Sequence, residues 1–187
     1  PAERVKPALE LLEGVMQEDE VAKQSGASQV NTSLYLDSRR FVFLEQHLAG
    51  LADRIKLRVR YYGLSPKGPC FFEIKRRQNM VVMKQRAVVS LEQGRALLND
   101  LSRPLPAEHA DNLALQHFQY LALRCQAEPK LLVRAQRAAY RSVDPSIDVR
   151  LTIDRDVQWQ PPPRADVLTP KPEGWRAASL ARGQHAG

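Results

Sequence analysis

The chain has little of what usually announces a function. Its two cysteines, Cys70 and Cys125, are too few and too unpatterned for a disulfide framework. They read as reduced core thiols of a cytoplasmic protein. No apolar run approaches the ~20 residues that cross a bilayer, and no signal peptide is recognisable. The four histidines, His47, His109, His117 and His185, lack Cys or His partners at zinc spacing. There is no Walker loop, no Gly-x-Gly-x-x-Gly and no serine or cysteine in a nucleophile motif. Gly63 and Gly68 read as turn residues. Aromatic residues make up 6% of the chain, too sparse for a base-stacking platform. That argues against single-stranded nucleic-acid binding, and no specific nucleic-acid partner is expected, although the basic face leaves charge-driven nucleic-acid binding as a further reading. The chain opens on Pro1 rather than methionine, so a fragment or processed form is expected.

What the sequence does have is positive charge. Lysine and arginine number 28 against 21 acidic residues, a formal net charge of +7. Such an excess points to an acidic partner. The hydrophobic share of 43% suits a soluble globular protein, and 187 residues can bury one sizeable core.

The charge is patterned most clearly in residues 56–87, which read as consecutive β-strands. Lys56, Arg58 and Arg60 alternate with Leu57, Val59 and Tyr61. Residues two apart in a strand face the same side, so the cations share one face and the apolar residues the other. The next strand groups Glu73, Lys75 and Arg77. The third groups Val82, Lys84 and Arg86. A turn at Gln78-Asn79 joins these two strands as a hairpin. It sets Glu73 opposite Lys84 or, two residues out of step, opposite Arg86; either register keeps the charges together. Like charges packed this closely repel, which makes sense if a polyanion lies on them. Arginine offers a planar fork to phosphate oxygens and lysine a mobile point charge. Glu73 reads as a charge-balancing partner of Lys84 or Lys75. It is also the one weak candidate for a metal ligand on this face.

Elsewhere the apolar spacing predicts helices over residues 5–24, 39–51, 91–101 and 107–126. Asp37-Ser38 and Ser90 are placed to cap two of them. Residues 30–37, 130–140 and 147–154 read as strands, the last two joined by a turn over 142–146. Arg134 or Arg137, and Arg150, would extend the basic face. Prolines after Trp159 predict an extended, poorly structured segment over 161–187, leaving 1–160 as the folded domain. The sum is α+β, an antiparallel sheet with flanking helices that could curl into a barrel.

The order of motifs carries a resemblance. YLDSRRFVFLEQHLAGLADRIKLRVRYYG, FFEIKRR, VVMKQRAVVS, LLVRAQRAAY and VRLTIDRDV, spread over residues 31–157, resemble the VTC domain. That is the polyphosphate polymerase family of the wider CYTH group, the triphosphate tunnel metalloenzymes. The resemblance implies an antiparallel barrel whose lumen is a basic tunnel. It implies binding of ATP with a divalent metal, Mn²⁺ or Mg²⁺, and transfer of the γ-phosphoryl group to inorganic polyphosphate. Arg58, Arg60, Lys75, Lys84, Arg137 and Arg150 match the family's tunnel cations and are expected to be catalytic. Lys56, Arg77, Arg86 and Arg134 are expected to help bind substrate. The family's first strand, and its last strand with the metal-binding glutamate, find no counterpart in this reading. Ala135 stands where a tyrosine is common. A triphosphatase using the same tunnel, and a non-catalytic polyphosphate-binding module, are the alternatives.

Overall fold

A computed structural model of the chain describes residues 7, 10–19 and 29–178. Among these residues, eight strands form one antiparallel sheet: β1 (Met16–Glu18), β2 (Gln29–Asp37), β3 (Asp53–Tyr62), β4 (Cys70–Gln78), β5 (Val81–Val89), β6 (Glu128–Ser142), β7 (Arg150–Gln160) and β8 (Arg176–Ala177). Their order is β5-β4-β3-β2-β6-β7-β8, with β1 added to β6. Three α-helices have both ends among the described residues, α1 (Val42–Leu48), α2 (Leu91–Asn99) and α3 (Leu113–Arg124). The class is therefore α+β. The expected barrel is not closed among the described residues. β5 pairs only with β4 at one end of the path, and the two-residue β8 ends the other.

Alternation divides the sheet into two faces. Leu34 and Leu36 of β2, Leu57 and Val59 of β3, Phe72 and Ile74 of β4, and Ala87 and Val89 of β5 are buried on one side. Helices α2 and α3 cover that side with Leu97, Leu98, Leu115, Phe118 and Leu121. Phe118 meets Phe72 edge-on at 5.0 Å between ring centroids. The Ser90 and Asn112 side chains accept the amides of Gln93 and Leu115, satisfying donors that each helix start leaves unpaired. α2 approaches β4 so closely that a Cβ on Gly94 would collide with the Cys70 sulfur.

Several sequence expectations shift. Of the helix expected over 5–24, Pro7 and Glu10 are helical, but Met16–Glu18 is strand β1, captured by pairing with the end of β6. Residues 20–24 lie outside the described residues. The helix expected from residue 39 starts at Val42. Asp37 and Ser38 still cap it, Asp37 accepting the Phe43 and Leu44 amides and Ser38 Oγ that of Val42. The helix expected over 107–126 breaks into a 3-10 turn at Ala107–His109 and α3, because Asn112 caps a new start. Strand β7 begins later than residue 147, since the turn after Pro145 runs on to Val149 through backbone hydrogen bonds. A bulge around Asp156, at φ 49°, then lets it continue to Gln160.

The described part of the proline-rich segment is corrected from poorly structured to folded. Leu168 is fully buried in the core, Asp166 bridges to Arg95 of α2 at 2.8 Å, and β8 pairs with β7. Prolines leave no amides to pair, but the Gln160 side chain anchors the chain by bonding both amide and carbonyl of Lys171 at 3.1 Å.

Candidate anion-binding site

The register of β3, β4 and β5 stacks charge in rows across the sheet. Lys56, Lys75 and Lys84 lie side by side in one row. Arg58, Glu73 and Arg86 form the next, and Arg54 faces Arg77 in a third. Gln78 faces Val81, so the hairpin turns at Asn79-Met80, with Asn79 at φ 54°. That sets Glu73 opposite Arg86, the second of the two registers the sequence allowed. The charged residues of these rows share the face opposite the core.

Glu73 organises the row that it shares with Arg58 and Arg86. Its side chain is 2% exposed. Arg58 Nε donates to Oε2 at 2.6 Å, while Lys84 Nζ and Arg86 Nε stand 3.4 and 3.5 Å from Oε1. Burial pushes the carboxyl's pKa up, but Arg58, Arg60 and Lys84 outweigh it and hold the group below its ordinary value. Arg60 is buried, and its Nε reaches Ser33 Oγ at 3.3 Å. Arg86 donates to the Tyr62 hydroxyl and lies over the Phe71 ring at 3.9 Å.

These rows border a cleft of about 300 Å³, lined by Tyr35, His47, Arg54, Lys56, Arg58, Lys75, Arg77 and Val82. Lys56 Nζ lies 3.3 Å from His47 Nε2. Burial, then Lys75, Arg54 and Arg58, lowers the pKa of Lys56. Lys56, with burial and Arg54, lowers that of His47. Unbalanced positive potential in a concave site is what an anion would relieve.

The structure brings Lys56, Arg58, Arg60, Lys75, Arg77, Lys84 and Arg86 onto one surface. Arg137 shares their face, opposite Gln29, and grips Asp154 with two bonds of 2.7 Å. Arg150 also faces this side but lies toward β1. There it and Arg141 each reach Asp19 at 3.1 Å, away from the cleft. Arg134 does not join them. It pairs with Thr32 on the core side, bonds Gln158 and stacks on Trp175 at 4.2 Å. Strand alternation requires this, since Arg134 and Arg137 are three residues apart. Sequence reasoning missed Tyr35, His47, Arg54 and Tyr62. Arg54 continues the 54-56-58-60 alternation and was legible. His47 arrives from a helix, and no strand pattern could place it.

A resident divalent metal does not fit the described residues. The carboxylates that these cations approach, Glu73, Asp154 and Asp19, are each already held by arginine. No group of three or more metal-ligating side chains occurs among the described residues. Glu73 Oε1 accepts no hydrogen bond, but two cations flank it, and they would repel a third.

Fold and site together define an α+β domain carrying a concave cationic face on an antiparallel sheet. The chain belongs to the VTC domain family, whose model matches residues 1–184. No curated protein matches the sequence. Among solved structures, a "putative adenylate cyclase" from Bacillus halodurans is similar at 12% identity, over 75% of this chain and 79% of that one. The TM-score between the two structures is 0.37.

Proposed function

We propose that this domain holds the phosphates of ATP and of inorganic polyphosphate on the face of β3–β5 and transfers the γ-phosphoryl group between them. The observation that carries the reading is the row of Lys56, Lys75 and Lys84 beside Arg58 and Arg86, bordering a cleft. In such a transfer, a terminal oxygen of polyphosphate bonds to the γ-phosphorus. The bond to the β,γ-bridging oxygen breaks, and ADP leaves. Phosphoryl transfer asks the protein mainly for alignment and for neutralisation of equatorial oxygens. The lysine row can follow a chain of phosphates, and Arg58, Arg60 and Arg86 can fork onto single oxygens. Any divalent ion would have to arrive on the phosphates, since the carboxylates here are committed to arginine.

A second reading, a polyphosphate-binding module without turnover, is favoured by the sheet's not closing among the described residues and by that committed carboxylate set. Incubation with ATP and polyphosphate, with and without Mn²⁺, separates the readings. A ladder of lengthening chains on a gel is expected, with Lys75→Ala reducing it by about a hundred-fold. Free phosphate without a ladder would instead make water the acceptor. Tight polyphosphate binding with neither product would establish the module.

A further inference from the structure

The cationic cleft does not end at His47. A second hollow of about 330 Å³ continues beneath α1, sharing Tyr35, His47 and Lys56 with the first. Its remaining walls are mostly apolar, chiefly Phe41, Phe43, Leu44, Leu131 and Val133. Beyond those three shared residues, the polar side chains that line it are already occupied. Asp37 Oδ1 takes the amides of Ser38 and Phe43, and Oδ2 that of Leu44. Lys130 pairs with Glu128 and lies 4.9 Å from the Phe41 ring centroid. One groove is thus charged at one end and apolar at the other.

Phe41 marks the apolar end. It is a non-glycine residue at φ 57°, immediately before α1, and 45% exposed. A left-handed backbone at a bulky residue is costly, and such strain collects at binding sites. Bare polyphosphate gains nothing from an apolar wall. A ligand with a charged tail and an uncharged flat ring gains from both ends.

We propose that this hollow seats the base of the nucleoside triphosphate whose phosphates lie in the cationic cleft. The base is held by contact with the walls beyond the shared mouth and is not distinguished from other bases, because the side chains of those walls are apolar or, at Asp37 and Lys130, already committed. The inference rests on the reading that the cleft binds phosphates. It makes the hollow the feature that separates a nucleotide donor from a polyphosphate chain.

The test is calorimetric titration of the protein with ATP, GTP, CTP and tripolyphosphate. Tripolyphosphate carries more charge than ATP, so a purely electrostatic site would prefer it. The expected result is the reverse, with nucleotides binding about ten-fold tighter and differing among themselves by less than about three-fold. In Phe41→Gly the ring is gone and the left-handed turn is relaxed, so the melting temperature should not fall. Its nucleotide affinity should drop to that of tripolyphosphate, whose own binding should not change. Wild-type protein that binds tripolyphosphate as tightly as ATP would overturn the proposal. So would strong preference for one base, or Phe41→Gly weakening all ligands alike. Failure of tripolyphosphate and nucleotides together would bring down the phosphate-binding reading itself, a different result from equal binding of both.

Discussion

Glu73 is the residue on which the cationic face depends. Without it, Arg58, Lys84 and Arg86 would converge with no counter-charge between them. Glu73→Gln should therefore destabilise the ligand-free domain by about 2 kcal/mol at neutral pH, less than for a fully dry pair because its partners are partly exposed. The same change should tighten polyphosphate binding, since a negative charge leaves the site. The carboxyl's folded pKa lies below its unfolded value, which is near 4.5. Its stabilising contribution is thus present above about pH 4.5 and lost as pH falls through the lower folded value. Thermal melts of wild type and Glu73→Gln should converge as the buffer is acidified through that window. Equal melting temperatures at pH 7 would show that the pairing contributes nothing. At this scale the strand cations were legible because alternation fixes their side, and the same rule separates Arg134 from Arg137. His47 was not, since its position depends on how α1 rests on β3.

At the scale of elements, β3, β4 and β5 pair in spite of the row Lys56–Lys75–Lys84. Like charges directly opposite on neighbouring strands oppose pairing. Lys75→Met should raise the ligand-free stability by about 0.5 kcal/mol at low ionic strength, and added salt should erase the gain by screening the repulsion in wild type. Affinity for polyphosphate should fall about ten-fold in the same variant, because the middle charge of the row is missing. Denaturant titrations at two salt concentrations measure the first effect and calorimetry the second. A Lys75→Met variant less stable than wild type at low salt would contradict the account. The hairpin also shows where sequence reasoning stopped. Both registers kept the cations on one face, and only the placement of the turn at Asn79-Met80 chose Arg86 as the partner of Glu73.

At the scale of the whole molecule, the segment after Gln160 belongs to the core, which composition did not reveal. Prolines argued against a central strand there, yet one apolar side chain, Leu168, fills a fully buried position. Leu168→Ala should cost about 3 kcal/mol and lower the melting temperature in a single transition. An unchanged melting curve would mean that this segment docks without supporting the sheet. Alternation and charge were enough to read the class of fold and most of the cationic face. Closure of the sheet was not readable, because it depends on whether distant edges meet, and among the described residues β5 and β8 do not. Among those residues nothing pairs with one flank of Val81–Val89, whose backbone donors and acceptors turn outward. Any extended segment that zips onto this flank would send every second side chain onto the cationic face, next to Lys84 and Arg86. A visiting strand bearing carboxylates would thereby lower the charge of the groove, and one bearing lysines would raise it, through main-chain pairing alone.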